Sequence, residues 1–316
     1  MKNQIKVVSL VGPTASGKTR LGIDLAKHFD GEIISADSMQ IYKGMQIATA
    51  KPTAEETDGV KHHLIDFLPA DCSYSVARFV EDASNCIRDI SRRGKLPVIV
   101  GGTGLYVDSL LNNIKFNDEI RDEAKSEELW EIYRNDGVDR LLNILDEIDR
   151  ESRIRLEEER NPKRIIRAIE FYYTTGMTMT EQVANSRLEE SPYSAVKLGL
   201  NYKDREKLYE RINKRVDLML EQGLLEEAEQ VLKKDLSFTS VKAIGYKELA
   251  PYFNNEKSLE ECIEKLKQST RHYAKRQITW FKRDKDINWL YADTFSSYEE
   301  MLGEAVNIID KGLLYG

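Results

Sequence analysis

IKVVSLVGPTASGKTRLGIDLAKHF, residues 5–29, decides the fold. It opens on a short apolar run rich in β-branched residues, which suits a buried strand, and continues with helical spacing of its apolar residues. Between the two stands GPTASGKT, residues 12–19, which fits the pattern G-x-x-x-x-G-K-[ST]. Strand, loop, helix is the context that the motif's mechanism requires. Gly12, Pro13, Thr14, Ala15, Ser16 and Gly17 form a loop whose backbone amides close around phosphate oxygens. Lys18 brings a positive point charge, Thr19 can place its hydroxyl on Mg²⁺, and the helix N-terminus adds a partial positive charge. An accidental Gly-rich turn would leave both flanks unexplained. The loop marks nucleotide-binding and ATP-binding proteins. It identifies a bound di- or triphosphate and not a reaction, because the same loop serves many chemistries.

Outward from this loop, EIISADS (32–38), HHLIDFL (62–68), LPVIVGGTG (96–104), VKLGLNY (196–202) and INWLYAD (287–293) read as further short strands. Helical stretches between them, such as Ser75 to Arg92, imply βαβ units. The expected fold class is α/β: a P-loop NTPase-like parallel sheet core flanked by helices, with a helical insertion domain. The insertion is expected over residues 117–194, where the chain is highly charged and EIRDEAKSEELWEIYRNDG and VDRLLNILDEIDRESRIRLEEER read as amphipathic helices. The core takes residues 1–116 and 195–316. A length of 316 residues agrees with about two domains at ~150 residues each.

Composition narrows the class. Hydrophobic residues are 41% and charged residues 32%, which describes a globular chain and not a disordered one. The net charge of −7 argues against a protein that coats nucleic acid nonspecifically, though not against a local basic site. No run reaches the ~18 apolar residues of a membrane span, and the N-terminus lacks the pattern of a secretory signal. Cys72, Cys86 and Cys262 have neither metal-ligand nor redox spacing. The expectation is a reduced, cytoplasmic, monomeric enzyme without a membrane partner.

An NTPase or kinase needs an acidic residue at the end of a second strand to hold Mg²⁺ through water. The strand at 96–102 ends in Gly-Gly-Thr instead, and Asp66 is a weak substitute. Asp37 and Ser38 end the second strand, at the sheet edge that faces the site in such folds. They are either site residues or an N-cap for the next helix.

With these segments in view the sequence resembles the tRNA dimethylallyltransferase family. GPTASGKT, ISADSMQIYKGMQIATAKPT, HHLID, VGGTGLYVDSLL, NPKRIIRAIE (161–170), KAIGYKEL (242–249) and RHYAKRQITWFKR (271–283) follow in the family's order. The resemblance implies transfer of a dimethylallyl group from dimethylallyl diphosphate to the exocyclic amine of the adenosine just 3′ of the anticodon. By similarity Asp37 is the general base, Thr103 contacts the reacting nucleotide and Arg215 helps hold the diphosphate, with Arg211 one turn earlier on the same helix face. Mg²⁺ is the implied cofactor and the tRNA anticodon stem-loop the implied partner. Ser38, Met39 and Gln40 stand beside Asp37 to read the flipped base, with Ser38 and Gln40 the best placed. Arg121, then Asn161, Pro162, Lys163, Arg164 and Ile165, then Lys242, Ala243, Ile244, Gly245, Tyr246 and Lys247 match segments that contact the tRNA. An allylic diphosphate ionises once its leaving group is neutralised, so the missing second acidic residue is expected: no water attacks phosphorus.

Arg271, Lys275, Arg276, Lys282, Arg283 and Lys285, interleaved with Tyr273, Trp280 and Phe281, suit a phosphate and base surface. Trp280 and Phe281 are expected to pack inward while the cations face RNA. Two departures from the family stand out: Lys242 replaces a frequent arginine, and the segment from Thr103 to Arg121 is short. Three other functions compete: an adenylate isopentenyltransferase acting on free nucleotide, a small-molecule P-loop kinase, and a noncatalytic RNA-binding protein.

Overall fold

A computed structural model describes residues 4–114, 122–186, 190–233 and 243–315. Among them, contacts divide the chain into two units, Met1–Leu111 with Pro192–Gly316, and Asn112–Ser191.

The first unit carries a six-stranded sheet: β1 (Ile5–Val11), β2 (Gly31–Ser35), β3 (His62–His63), β4 (Leu96–Gly101), β5 (Tyr193–Asn201) and β6 (Asn288–Tyr291), in the order β3-β2-β4-β1-β5-β6. Every pairing is parallel, as βαβ connections require. This is the α/β parallel sheet that the alternating segments predicted. HHLIDFL is a shorter strand than its composition suggests. Leu64 (φ +58°) and Asp66 (φ +53°) turn left-handed and end the pairing after His63.

The chain's helices are α1 (Lys18–His28), α2 (Ala54–Thr57), α3 (Val76–Arg92), α4 (Gly104–Leu111), α5 (Glu123–Ile148), α6 (Arg150–Glu157), α7 (Pro162–Thr175), α8 (Met179–Ser186), α9 (Arg205–Glu221), α10 (Leu224–Leu232), α11 (Tyr246–Phe253), α12 (Leu259–Phe281) and α13 (Tyr298–Tyr315). Strand side chains alternate between two cores. Val7, Val11, Ile34 and Ile99 pack with α3, α4 and α10–α12. Val8, Leu10, Ile33, Val98 and Leu198 pack with α1 and α13. Apolar residues at both parities are what a parallel strand covered on both faces demands.

The secondary-structure elements of the second unit's described residues are all helices, α5 to α8. Leu129, Leu141, Leu145, Ile165, Ile166 and Ile169 form its core. The long helix α5 is interrupted at Gly137 (φ +79°), where the sequence separates two amphipathic stretches. The second stretch breaks again at Asp149, whose carboxylate caps α6 and also takes the Thr180 amide and hydroxyl.

Candidate active site

β1 delivers the phosphate loop to the carboxyl edge of the sheet, beside its neighbours β4 and β5. At Gly12 (φ +145°) an added Cβ would stand 2.2 Å from Leu200 O, so glycine alone lets the loop press against β5. Lys18 Nζ donates to Pro13 O at 2.6 Å, across the loop. Burial is the main cause that lowers the Lys18 pKa to about 7; the Arg215 charge adds to it and Asp37 opposes it. Burial lowers the Arg215 pKa as well. Arg215 Nη1 donates to Thr14 Oγ1 at 3.4 Å, and Arg211 Nε donates to Ala15 O at 2.9 Å. Arg211 and Arg215 of α9 therefore brace the phosphate loop.

Two cavities meet there. The larger, about 1050 Å³, is lined by residues 15–20, Glu55, Glu56, Arg211 and Lys214 among others. The smaller, about 340 Å³, is lined by Thr14, Asp37, Ser38, Met39, Tyr273 and Arg276 among others. Both include Lys18, Thr19, Ala50, Arg215 and Met219 in their walls. The phosphate loop thus stands at a junction, with the Lys18 and Arg215 cations in the shared wall and Asp37 on one side.

Asp37 Oδ1 accepts from Met39 N at 2.9 Å and Gln40 N at 3.4 Å. Among the described residues no helix follows for Asp37 to cap, since the next begins at Ala54; one carboxylate oxygen instead closes the turn at 37–40 and fixes the carboxylate on the cavity wall. Ser38 N donates to Thr103 Oγ1 at 3.0 Å. Thr103 joins the β4 and β2 ends, and Tyr273 lines the same cavity as Asp37 and Ser38. Burial first, then the Asp37 charge, raises the Tyr273 pKa, so its phenol stays neutral beside Asp37. The Gln40 side chain is fully engaged. Its Nε2 donates to Thr49 O and Ala50 O at 3.1 Å each, and its Oε1 accepts from Ser35 Oγ at 3.1 Å. Gln40 builds the wall; its amide is committed before any base arrives.

Asp66 takes no part at the phosphate loop. It pairs with the buried Lys51 at 2.5 Å, and Lys51 also bonds Tyr42 O. Ile165, Ala243 and Tyr246 are expected in the sequence as tRNA contacts; the side chains of all three are buried, and Ala243 also lines the smaller cavity. Asn161 caps α7 through Lys163 N at 3.1 Å, Pro162 takes its first turn, and Arg164 pairs with Glu159 at 2.6 Å. Ile244 packs at the edge of the main core. Gly245, Lys247 and Ile244 line the smaller cavity. Arg121 and Lys242 lie outside the described residues. On α12 and just beyond it, Lys275, Arg276, Lys282, Arg283 and Lys285 are exposed. Phe281 is buried, and Trp280 donates to Asp108 at 2.6 Å.

Gln277 escaped the sequence reading. Its Oε1 accepts from Thr14 N at 2.9 Å and its Nε2 donates to Gly102 O at 3.0 Å. A Cβ at Gly102 would stand 2.1 Å from that Nε2, so a larger residue there would displace the amide. One buried amide thus ties the phosphate loop to the Thr103 loop. Its only sequence signal is a lone polar residue on the apolar stripe of a helix.

Among the described residues no group of three or more His, Cys, Asp or Glu side chains could hold a metal. Thr19 is exposed where the cavities meet. That donor set fits a hard cation bound mainly by substrate phosphates and water, the habit of Mg²⁺. Among the described residues no helix is long and apolar enough to cross a membrane.

Comparison with known proteins gives one picture. The family model described as IPP transferase matches residues 40–284, and the one described as isopentenyl transferase matches residues 5–69. The tRNA dimethylallyltransferase of Caldanaerobacter subterraneus subsp. tengcongensis is 45% identical over 94% of this chain and 95% of its own. That of Bacillus mycoides is 48% identical over 90% of this chain and 89% of its own. The crystal structure of the full-length tRNA isopentenylpyrophosphate transferase from Bacillus halodurans superposes with a TM-score of 0.74 at 42% identity, covering 98% of this chain and 97% of that one. A eukaryotic dimethylallyltransferase acting on tRNA superposes with a TM-score of 0.80 at 30% identity, over 98% of this chain and 79% of that one.

Proposed function

The chain belongs to the IPP transferase family, and from that premise we propose that it transfers a dimethylallyl group from dimethylallyl diphosphate to the N6 amine of the adenosine 3′-adjacent to the anticodon of tRNA. The observation that carries the mechanism is the junction: Asp37 opens on the smaller cavity, whose wall shares Lys18 and Arg215 with the larger.

The diphosphate rests on the amides of the phosphate loop, with Lys18 and Arg215 against its charge. Their charges favour heterolysis of the allylic C–O bond, because charge grows on the departing diphosphate. Thr19 would hold Mg²⁺, which supplies further neutralisation of the leaving group. Adenine's N6 is a weak nucleophile, its lone pair delocalised into the ring. A carboxylate accepting its hydrogen bond raises its electron density. As the N6–C bond forms, Asp37 takes the proton. Thr103 holds the Asp37–Ser38 turn while this happens, with the neutral Tyr273 phenol in the same cavity.

An adenosine stacked in an anticodon loop must be drawn out to reach such a pocket. Lys163, Arg164, Lys247 and Arg276, with the exposed cations after Arg276, are the tRNA contacts we propose for the described residues; Arg121 and Lys242 join them from outside. This acceptor places the enzyme in the cytoplasm.

The direct test incubates the protein with Mg²⁺, dimethylallyl diphosphate and unmodified tRNA, with AMP as a parallel acceptor, and analyses nucleosides by mass spectrometry. A dimethylallyl adduct on tRNA adenosine, absent from AMP, is the expected result. An adduct on AMP alone moves the assignment to free nucleotide.

A further inference from the structure

Glu227 lies in the first turn of α10, where an acidic side chain ordinarily does no more than complement the helix dipole. Here it reaches away from its helix into another loop. Its Oε2 accepts from Gln46 N at 2.7 Å and Ile47 N at 2.8 Å, and its Oε1 from Ala48 N at 2.9 Å and the Tyr246 hydroxyl at 2.9 Å. Three successive backbone amides turned to one point form an anion-binding concavity. The protein fills this one with its own carboxylate.

The loop so gripped matters to the site. Ile47 O accepts from Ala50 N at 2.9 Å and Gln46 O from Lys51 N at 3.1 Å, so fixing residues 46–48 fixes the turn that follows. Ala50 stands at φ +49°, a left-handed conformation that a non-glycine residue keeps only when its surroundings impose it. The Thr49 and Ala50 carbonyls hold the Gln40 amide, and Gln40 N bonds Asp37 Oδ1. Ala50 is also part of the wall that the two cavities share.

We propose that Glu227 is a positioning residue for the transfer reaction. Through the loop 46–50 and Gln40 it sets the Asp37 carboxylate and the shared cavity wall in register with the phosphate loop. This inference rests on the transfer reaction argued above.

The test replaces Glu227 by Ala and measures single-turnover transfer to tRNA with saturating donor, with and without added formate. The wild-type arm checks the reaction itself: if wild type makes no adduct, the proposed function fails and not this inference. With wild type active, Glu227→Ala is expected to fold, to lose about 100-fold in the bound-state rate, the size of effect a misplacement of ~1 Å produces, and to regain at least tenfold as formate enters the vacated concavity. The regain should saturate with formate, and wild type should not respond. A rate equal to wild type, or a loss that formate does not relieve, overturns the proposal. Should Glu227→Ala fail to fold, Glu227→Gln decides the matter. The amide keeps the size but turns one acceptor into a donor that faces backbone N–H groups. A slowed bound-state rate at unchanged melting temperature supports positioning, and a wild-type rate overturns it.

Discussion

Lys18 is the residue whose chemistry is most exposed to test. With its pKa lowered to about 7, it loses its proton as pH rises through neutrality in the unliganded protein. A bound diphosphate restores the charge. Donor binding at pH 8 is therefore expected to take up a proton, beyond any taken up by the diphosphate itself. Calorimetry in buffers of different ionisation enthalpy measures this, and Lys18→Met should abolish the extra uptake. Equal uptake by both proteins would contradict the role given to Lys18. Asp37→Asn keeps the turn acceptor for Met39 N and removes the base. The expected fall in the chemical step is roughly 10²–10⁴-fold with donor affinity little changed, read from single-turnover rates and pyrophosphate binding. If RNA binding collapses while bound-state turnover stays normal, Asp37 is an anchor and not a base. The places of Lys18 and Thr19 are legible from sequence because a local motif between strand and helix encodes them; Asp37 is legible as a carboxylate at a strand's end, and its role only through the family resemblance.

The elements joined at the site were less legible, because what joins them is distant in the chain. Gln277 of α12 bonds Thr14 and Gly102 across separations of 263 and 175 residues. Glu227 of α10 reaches back about 180 residues to the loop 46–48. No spacing rule on one segment reports such bonds. The same blindness explains Tyr246: its segment matches one that contacts tRNA in the resembled family, and only the packing of α11 on the core shows the side chain buried. Gln40 looked like a base reader, and only the position of residues 49–50 showed its amide committed. Removing Gln277 tests this level. Gln277→Ala orphans one buried donor and one buried acceptor, which costs about 1–3 kcal/mol of stability. Urea unfolding should record that loss, and the chemical rate should drop with it. An unchanged urea midpoint would show that water replaces the amide.

For the whole molecule, charge is the accessible variable. The net charge is −7, yet the cations from Lys275 to Lys285 are exposed together, so tRNA affinity is expected to weaken several-fold for each doubling of salt. A flat response in a filter-binding titration would exclude a phosphate-dominated contact. Acid stability depends on the opposite sign of charge. Glu32 of β2 is buried against Arg93, whose Nη2 donates at 2.7 Å, and against His63 Nε2 at 2.7 Å. The Arg93 hydrogen bonds are the main cause that holds its pKa down to about 2, from an ordinary 4.5. A depressed carboxylate stabilises the fold at all pH above its unfolded value. Here that contribution is whole above pH 4.5 and disappears as pH falls toward 2. Glu32→Gln should flatten the acid side of the melting-temperature profile and leave its alkaline side unchanged in slope. The pairing of β1 with β5 has a consequence for birth on the ribosome. β1 ends at Val11 and β5 at Asn201, so the strand that backs the phosphate loop at Gly12 is synthesised 190 residues after the strand that leads into it. At ~5–20 residues per second that interval is roughly 10–40 s. Through it the nascent chain has its phosphate loop but not the Leu200 carbonyl against which Gly12 lies. Until β5 is made, the phosphate loop lacks the backbone that seats Gly12, and the β5-side edge of β1 stays unpaired.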